Sequence, residues 1–114
     1  HIAMSIESLL GRVKNPAAVL IPTASGQTAR SITRVRLPVW ILAASPSEKT
    51  CQELMFSYGV WPIESKQRST DWTAFSKEHL EKLGLEGNSI LQVEGPSPEN
   101  PEKNYKIELI LFKI

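Results

Sequence analysis

One cysteine, two histidines and a formal net charge of +1 over 114 residues exclude several kinds of protein. Cys51 alone cannot close an internal disulfide, which fits a reducing cytoplasm. Apart from the first residue, His79 is the only histidine, so no metal site with the usual histidine and cysteine spacing can be drawn. The near-neutral balance offers neither a basic field for nucleic acid nor an acidic tail. No apolar run is long enough to cross a membrane, and none reads as a signal peptide. There is no internal repeat. No Gly-Lys-Ser/Thr loop for a nucleoside triphosphate occurs, and no three-glycine dinucleotide fingerprint. The carboxylates (Glu48, Glu53, Glu64, Asp71, Glu78, Glu81, Glu86 and Glu94) are scattered, with no pair placed for acid–base work or for magnesium.

What remains is an ordinary soluble composition, 41% hydrophobic, in a length that makes one domain. His1, Ile2 and Ala3 before Met4 read as an expression scar, which leaves a single domain over 4–114. Helical and strand patterns alternate from there. Residues 5–13 form a short amphipathic helix. The run 17–21 is apolar throughout, as a strand covered on both faces must be. A helix follows over 25–36, with Ala29, Ile32 and Val35 inward and Arg30 and Arg34 outward. Residues 39–44 form a second strand. Ser45, Pro46, Ser47 and Glu48 make a capping box. The helix it opens carries Cys51, Leu54, Met55 and Tyr58 at inward spacing, and Gly59 ends it. Residues 60–63 form a short strand whose Pro62 marks a sheet edge. After a polar loop, Thr70 or Asp71 caps a helix carrying Trp72, Phe75, Leu80 and Leu83, closed by Gly84. Strands at 89–93 and 105–114 complete the chain.

This order predicts an α/β three-layer sandwich: a five-stranded, mostly parallel sheet with helices on both faces. The last connection, 95–104, carries Pro96, Pro98 and Pro101. It is too short for a crossover helix, so the final strand is expected to run antiparallel. That strand begins near Tyr105. It is apolar on both faces, with Ile107, Leu109 and Leu111 on one and Ile110, Phe112 and Ile114 on the other. An apolar edge invites a partner, and self-association through 105–114 is expected.

Candidate chemistry concentrates at the turn after the first strand. Thr23, Ser25, Gly26 and Thr28, with Gln27 among them, supply hydroxyls and a pliable backbone at a helix start, where phosphate or sulfate can be cradled. The plain alternative is a strand-to-helix turn with hydroxyl caps. A helix terminus alone holds an anion by only about 0.3–1 kcal/mol, and Arg30, one turn on, is expected to point away. Trp72 is a lid candidate; packing is the alternative for it, as for Trp40 and Trp61, which are expected in the core. His79 reads as structural. Cys51 reads as core, since nothing marks it as an activated nucleophile.

The stretch 19–30, centred on Thr23-Ala24-Ser25-Gly26-Gln27-Thr28-Ala29, is followed by 34–43 with Arg34, Arg36 and Pro38, then 50–54, then Gly59-Val60-Trp61-Pro62. In this order these motifs resemble the C-terminal domain of pyruvate kinase over nearly the whole chain from Ala17. The resemblance implies a five-stranded α/β unit with a last antiparallel strand, lying outside the catalytic barrel. It implies a role in building the tetramer and, in many members, in holding a phosphorylated effector. The family's phosphate loop falls on Thr23, Ser25, Gly26 and Thr28. Ala24 and Gln27 stand where many members have a basic residue, and Gly95 to Asn104 replaces a glycine-rich effector loop. These departures count against a sugar bisphosphate and leave a single phosphate or sulfate. The parent enzyme would use magnesium and potassium to move phosphate from phosphoenolpyruvate to ADP. A (β/α)₈ barrel takes about 250 residues, so this chain is expected to be non-catalytic, cytoplasmic, and either a fragment docked on that barrel or a stand-alone phosphometabolite-binding protein. A small independent enzyme would have to work with Ser45, Ser25, Thr23 and Glu64 alone, with no histidine base.

Overall fold

The computed structural model describes residues 2–23, 26–33, 35–65, 72–95 and 106–111. Helix α1 (Ile2–Arg12) leads into β1 (Pro16–Pro22), a proline-bounded strand whose five central residues are all buried. Then come α2 (Gln27–Ile32), β2 (Trp40–Ser45), α3 (Glu48–Leu54), β3 (Val60–Glu64), α4 (Trp72–Leu83), β4 (Ser89–Glu94) and β5 (Lys106–Leu111). The sheet order is β3-β2-β1-β4-β5. β1 pairs in parallel with β2 and with β4, and β2 in parallel with β3. β5 runs antiparallel to β4, with Leu91 opposite Leu109. The expected architecture is therefore present, and its short proline-containing strand is an edge.

The two sheet faces pack differently. Val19, Ile21, Ile41, Ala43, Leu91 and Val93 form one face under Ile6 and Leu10 of α1, Ala29 and Ile32 of α2, and Leu54 of α3. Ala18, Leu20, Leu42, Ala44 and Ile90 form the other under Leu80, Phe75 and Leu83 of α4. Fully burying one such aliphatic side chain contributes about 1.5–3 kcal/mol, so these two clusters hold the sheet in its layers. β1 and β4 approach closely at their entry. Gly87 has φ +148, and a Cβ there would lie 2.6 Å from the Ala17 backbone, so only glycine fits.

Several expectations need correction. α2 spans Gln27–Ile32 rather than 25–36. The Thr33 hydroxyl donates to the Arg30 carbonyl, Val35 N turns back onto the Ile32 carbonyl, and Pro38 keeps Leu37 out of the helical region. The cap of α3 is Ser47, whose hydroxyl accepts from Thr50 N at 3.2 Å, while Ser45 is still strand. That helix stops at Leu54, so Met55 and Tyr58 are 69% and 62% exposed instead of inward. Trp40 and Trp61, expected in the core, are 45% and 47% exposed. They sit at the entry of β2 and β3, stacked edge to face at 6.3 Å on the side covered only by α4. Arg34, the Thr70 and Asp71 caps, and the ends of the last strand (Tyr105, Phe112 and Ile114) lie outside the described residues.

Candidate functional site

Parallel strands bring the ends of β1, β2 and β3 side by side, because Pro22 pairs with Ala44 and Ser45 with Glu64. Thr23 extends the β1 ladder by donating its amide to the Ala44 carbonyl at 2.8 Å. Its hydroxyl then accepts the Gly26 amide at 2.9 Å, which folds the chain over into α2. Gly26 is the N-cap, with φ 80 and ψ 1. A methyl group at Gly26 would lie 3.0 Å from Arg30 Nη1 and 3.2 Å from both Leu54 Cδ2 and Thr50 Cγ2. Glycine is needed here both for the left-handed backbone and for the closeness of α3.

In a helix opening at Gln27, the amides of residues 27–29 precede the first intrahelical bond, Arg30 N to the Gly26 carbonyl at 2.9 Å. Thr28 is buried beside them. Ser25 and the Gln27 side chain lie outside the described residues. Arg30, expected to point away, instead brings its guanidinium back over Gly26 and meets Glu53 at 3.8 Å, with both side chains about half exposed. The corner thus has a cation that reading outward faces did not reveal. No sequence signal marks this return, since Gly26, one turn back, has no side chain for Arg30 to pair with. Helix amides and one guanidinium are chemistry for holding a small anion. They are not chemistry for moving a proton.

The neighbouring groups serve structure. The Ser45 hydroxyl accepts from Ser47 N at 3.2 Å and steers the chain into α3. The Cys51 thiol faces the Ser45 carbonyl at 3.9 Å, and burial first, then the charge of Glu64, push its pKa up, the opposite of an activated nucleophile. Trp72 opens α4, half-buried against the sheet and edge-on to Phe75 at 5.1 Å, so its helix lies on the opposite face from α2. His79 donates Nδ1–H to the Phe75 carbonyl at 2.9 Å and stacks on the Phe75 ring at 4.2 Å. Among the described residues no three His, Cys, Asp or Glu side chains are grouped to hold a metal ion. No described helix is long and apolar enough to cross a membrane.

A mostly parallel sheet, covered by helices and carrying a strand–turn–helix corner at its carboxyl ends, defines an α/β domain of the kind that binds ligands at that end. The family model described as pyruvate kinase, alpha/beta domain matches residues 1–102, and the chain belongs to that family. It is 52% identical over 45 residues to the pyruvate kinase of Thermococcus litoralis, covering 40% of this chain and 10% of that one. It is 41% identical over 56 residues to the pyruvate kinase of Clostridium acetobutylicum, covering 48% of this chain and 12% of that one. The matched segments thus cover about a tenth of the length of these relatives. The structure of Cryptosporidium parvum pyruvate kinase in complex with ADP superposes with a TM-score of 0.81 over 98% of this chain and 23% of that one. At 19% identity this likeness speaks for the fold.

Proposed function

We propose that this chain is the regulatory and oligomerisation domain of a pyruvate kinase-like protein, and that it holds a phosphate, sulfate or phosphorylated effector at the corner of Thr23, Ser25, Gly26, Gln27 and Thr28. The enzyme it serves would transfer phosphate from phosphoenolpyruvate to ADP, in the cytoplasm, on a barrel that is not part of this domain. Family membership supports the first half of this reading. The observation that carries the second is the return of Arg30 over Gly26, which puts a positive charge where the amides of α2 begin. α2 has only six residues, so its own dipole sits at the low end of about 0.3–1 kcal/mol, and the guanidinium, which also meets Glu53 at 3.8 Å, adds to the attraction. Self-association through β5 is the assembly half of the reading. β5 closes one side of the sheet with Leu109 and Leu111 exposed at 46% and 70%.

The test is a melting-temperature series in sulfate, inorganic phosphate and phosphorylated sugars, with unphosphorylated sugars as controls. A ligand at a hundred times its Kd stabilises by about 2.7 kcal/mol, which raises Tm by about 10 °C or more in a domain of this size. Arg30→Ala abolishes the shift while leaving the uncomplexed chain folded. If no phosphorylated compound and no sulfate moves Tm, the effector half of the reading fails and an assembly domain remains.

A further inference from the structure

Arg36 and Pro38, which belong to the motif at 34–43, take no part in the corner. They stand at the opposite end of the sheet, before Trp40 opens β2, roughly 17 Å along that strand from Ser45. Here Leu37, Pro38, Val39, Trp40, Tyr58 and Gly59 line a hollow of about 290 Å³. An apolar space of about 150 Å³ holds a benzene ring, so the hollow has volume for a body of two rings. None of the six lining residues carries a charge, and Trp40 and Tyr58 supply aromatic surface.

A cation decides the occupant. The Arg36 guanidinium lies 4.7 Å from the centre of the Tyr58 ring, itself part of the lining. A guanidinium resting on an aromatic face is positioned by the ring and keeps its N–H fork for a planar oxyanion. Arg36 has no carboxylate partner among the described residues. An uncompensated cation beside an uncharged, largely apolar hollow suits a ligand with an apolar body and one negative charge. A phosphate monoester brings about −1.5 to −2 charges, more than one guanidinium balances. A carboxylate brings a single charge in a plane that the fork matches. The geometry points to a binding site for a small aromatic carboxylate, its ring against Trp40 and Tyr58 and its carboxylate on Arg36. The site does not depend on the phosphate reading of the corner, which lies at the far end of the sheet.

The experiment is a titration of the full 114-residue chain with naphthoate, followed by the NMR shifts of its amide and indole protons. The expected result is saturable shifts at Val39, Trp40, Tyr58 and Gly59, with a Kd of about 1 mM or tighter. Naphthalenemethanol, the uncharged counterpart, binds at least about tenfold more weakly. Arg36→Gln, at an exposed position, removes that difference: it weakens naphthoate by about tenfold or more and leaves the alcohol unchanged. Trp40→Ala weakens both ligands, and the resonances of the remaining residues confirm that both variants are folded. Absence of shifts up to about 10 mM naphthoate overturns the proposal. So does naphthoate binding that Arg36→Gln leaves intact, and so does naphthyl phosphate binding more tightly than naphthoate. Shifts confined to residues 23–30 credit the corner with the anion and equally overturn the site at Arg36.

Discussion

The face of the sheet under α1, α2 and α3 and the face under α4 solve the same problem with different residues. The first is covered by three short helices, and its strands present mainly branched aliphatics, Val19, Ile21, Ile41, Leu91 and Val93. The second is covered by one helix, and three of its strand residues shrink to Ala17, Ala18 and Ala44. These small side chains face α4. The rest of that layer is made of half-buried rings and leucines (Trp72, Phe75, Leu83 and Leu85), with Trp40 and Trp61 left partly in water. Cohesion is thus concentrated on the first face, and exposed apolar surface accumulates at the uncovered entry of the second.

The sharpest test of that asymmetry is a pair of truncations. Ile21→Ala removes a fully buried side chain from the three-helix face and is expected to cost about 2–5 kcal/mol in urea unfolding. Leu83→Ala, half-buried at the end of α4, is expected to cost about 1–2 kcal/mol. Equal losses would break the comparison. A smaller effect is expected at the cap of α3. Ser47→Ala deprives Thr50 N of its acceptor, costs about 1 kcal/mol and lowers Tm by about 4–8 °C.

The smallest effect is the pH response of Cys51, which sits on the three-helix side of α3. Its thiol pKa is raised by burial and by Glu64, so the folded chain holds that proton more tightly than the unfolded one. Stability is then fully present below the ordinary thiol value of about 8.5 and falls as pH climbs past it. Urea midpoints between pH 7 and 10 are expected to fall less steeply in Cys51→Ala than in the parent. Identical slopes would show that this side of α3 opens freely to water.

Much of the fold was legible because connection lengths constrain it. The run at 17–21 had to be a doubly covered strand, Pro62 had to lie at an edge, and the proline-rich link had to return the last strand antiparallel. What periodicity could not show is how much of each face the helices reach. Trp40 and Trp61 do lie in strands as expected, but whether α4 extends far enough to cover them is a tertiary matter. Met55 and Tyr58 were misplaced for a local reason: the helix stops one residue before the first of them. At the corner, Thr23, Gly26 and Thr28 were readable from their types. The turn-back of Arg30 was not, because an exposed helix position says nothing about where a long, flexible side chain settles.

The strand order carries a consequence for how the molecule is made. β1 precedes every other strand in the domain yet ends in the middle of the sheet, where Ala18 meets both Trp40 and Ile90. Its first flank can close as soon as β2 emerges from the ribosome. Its second waits until nearly the whole domain has been translated, since Ile90 lies far downstream. The nascent polypeptide therefore passes through a half-sheet of β1, β2 and β3 with one raw border, and the arrival of β4 is the event that ends its vulnerability to mispairing.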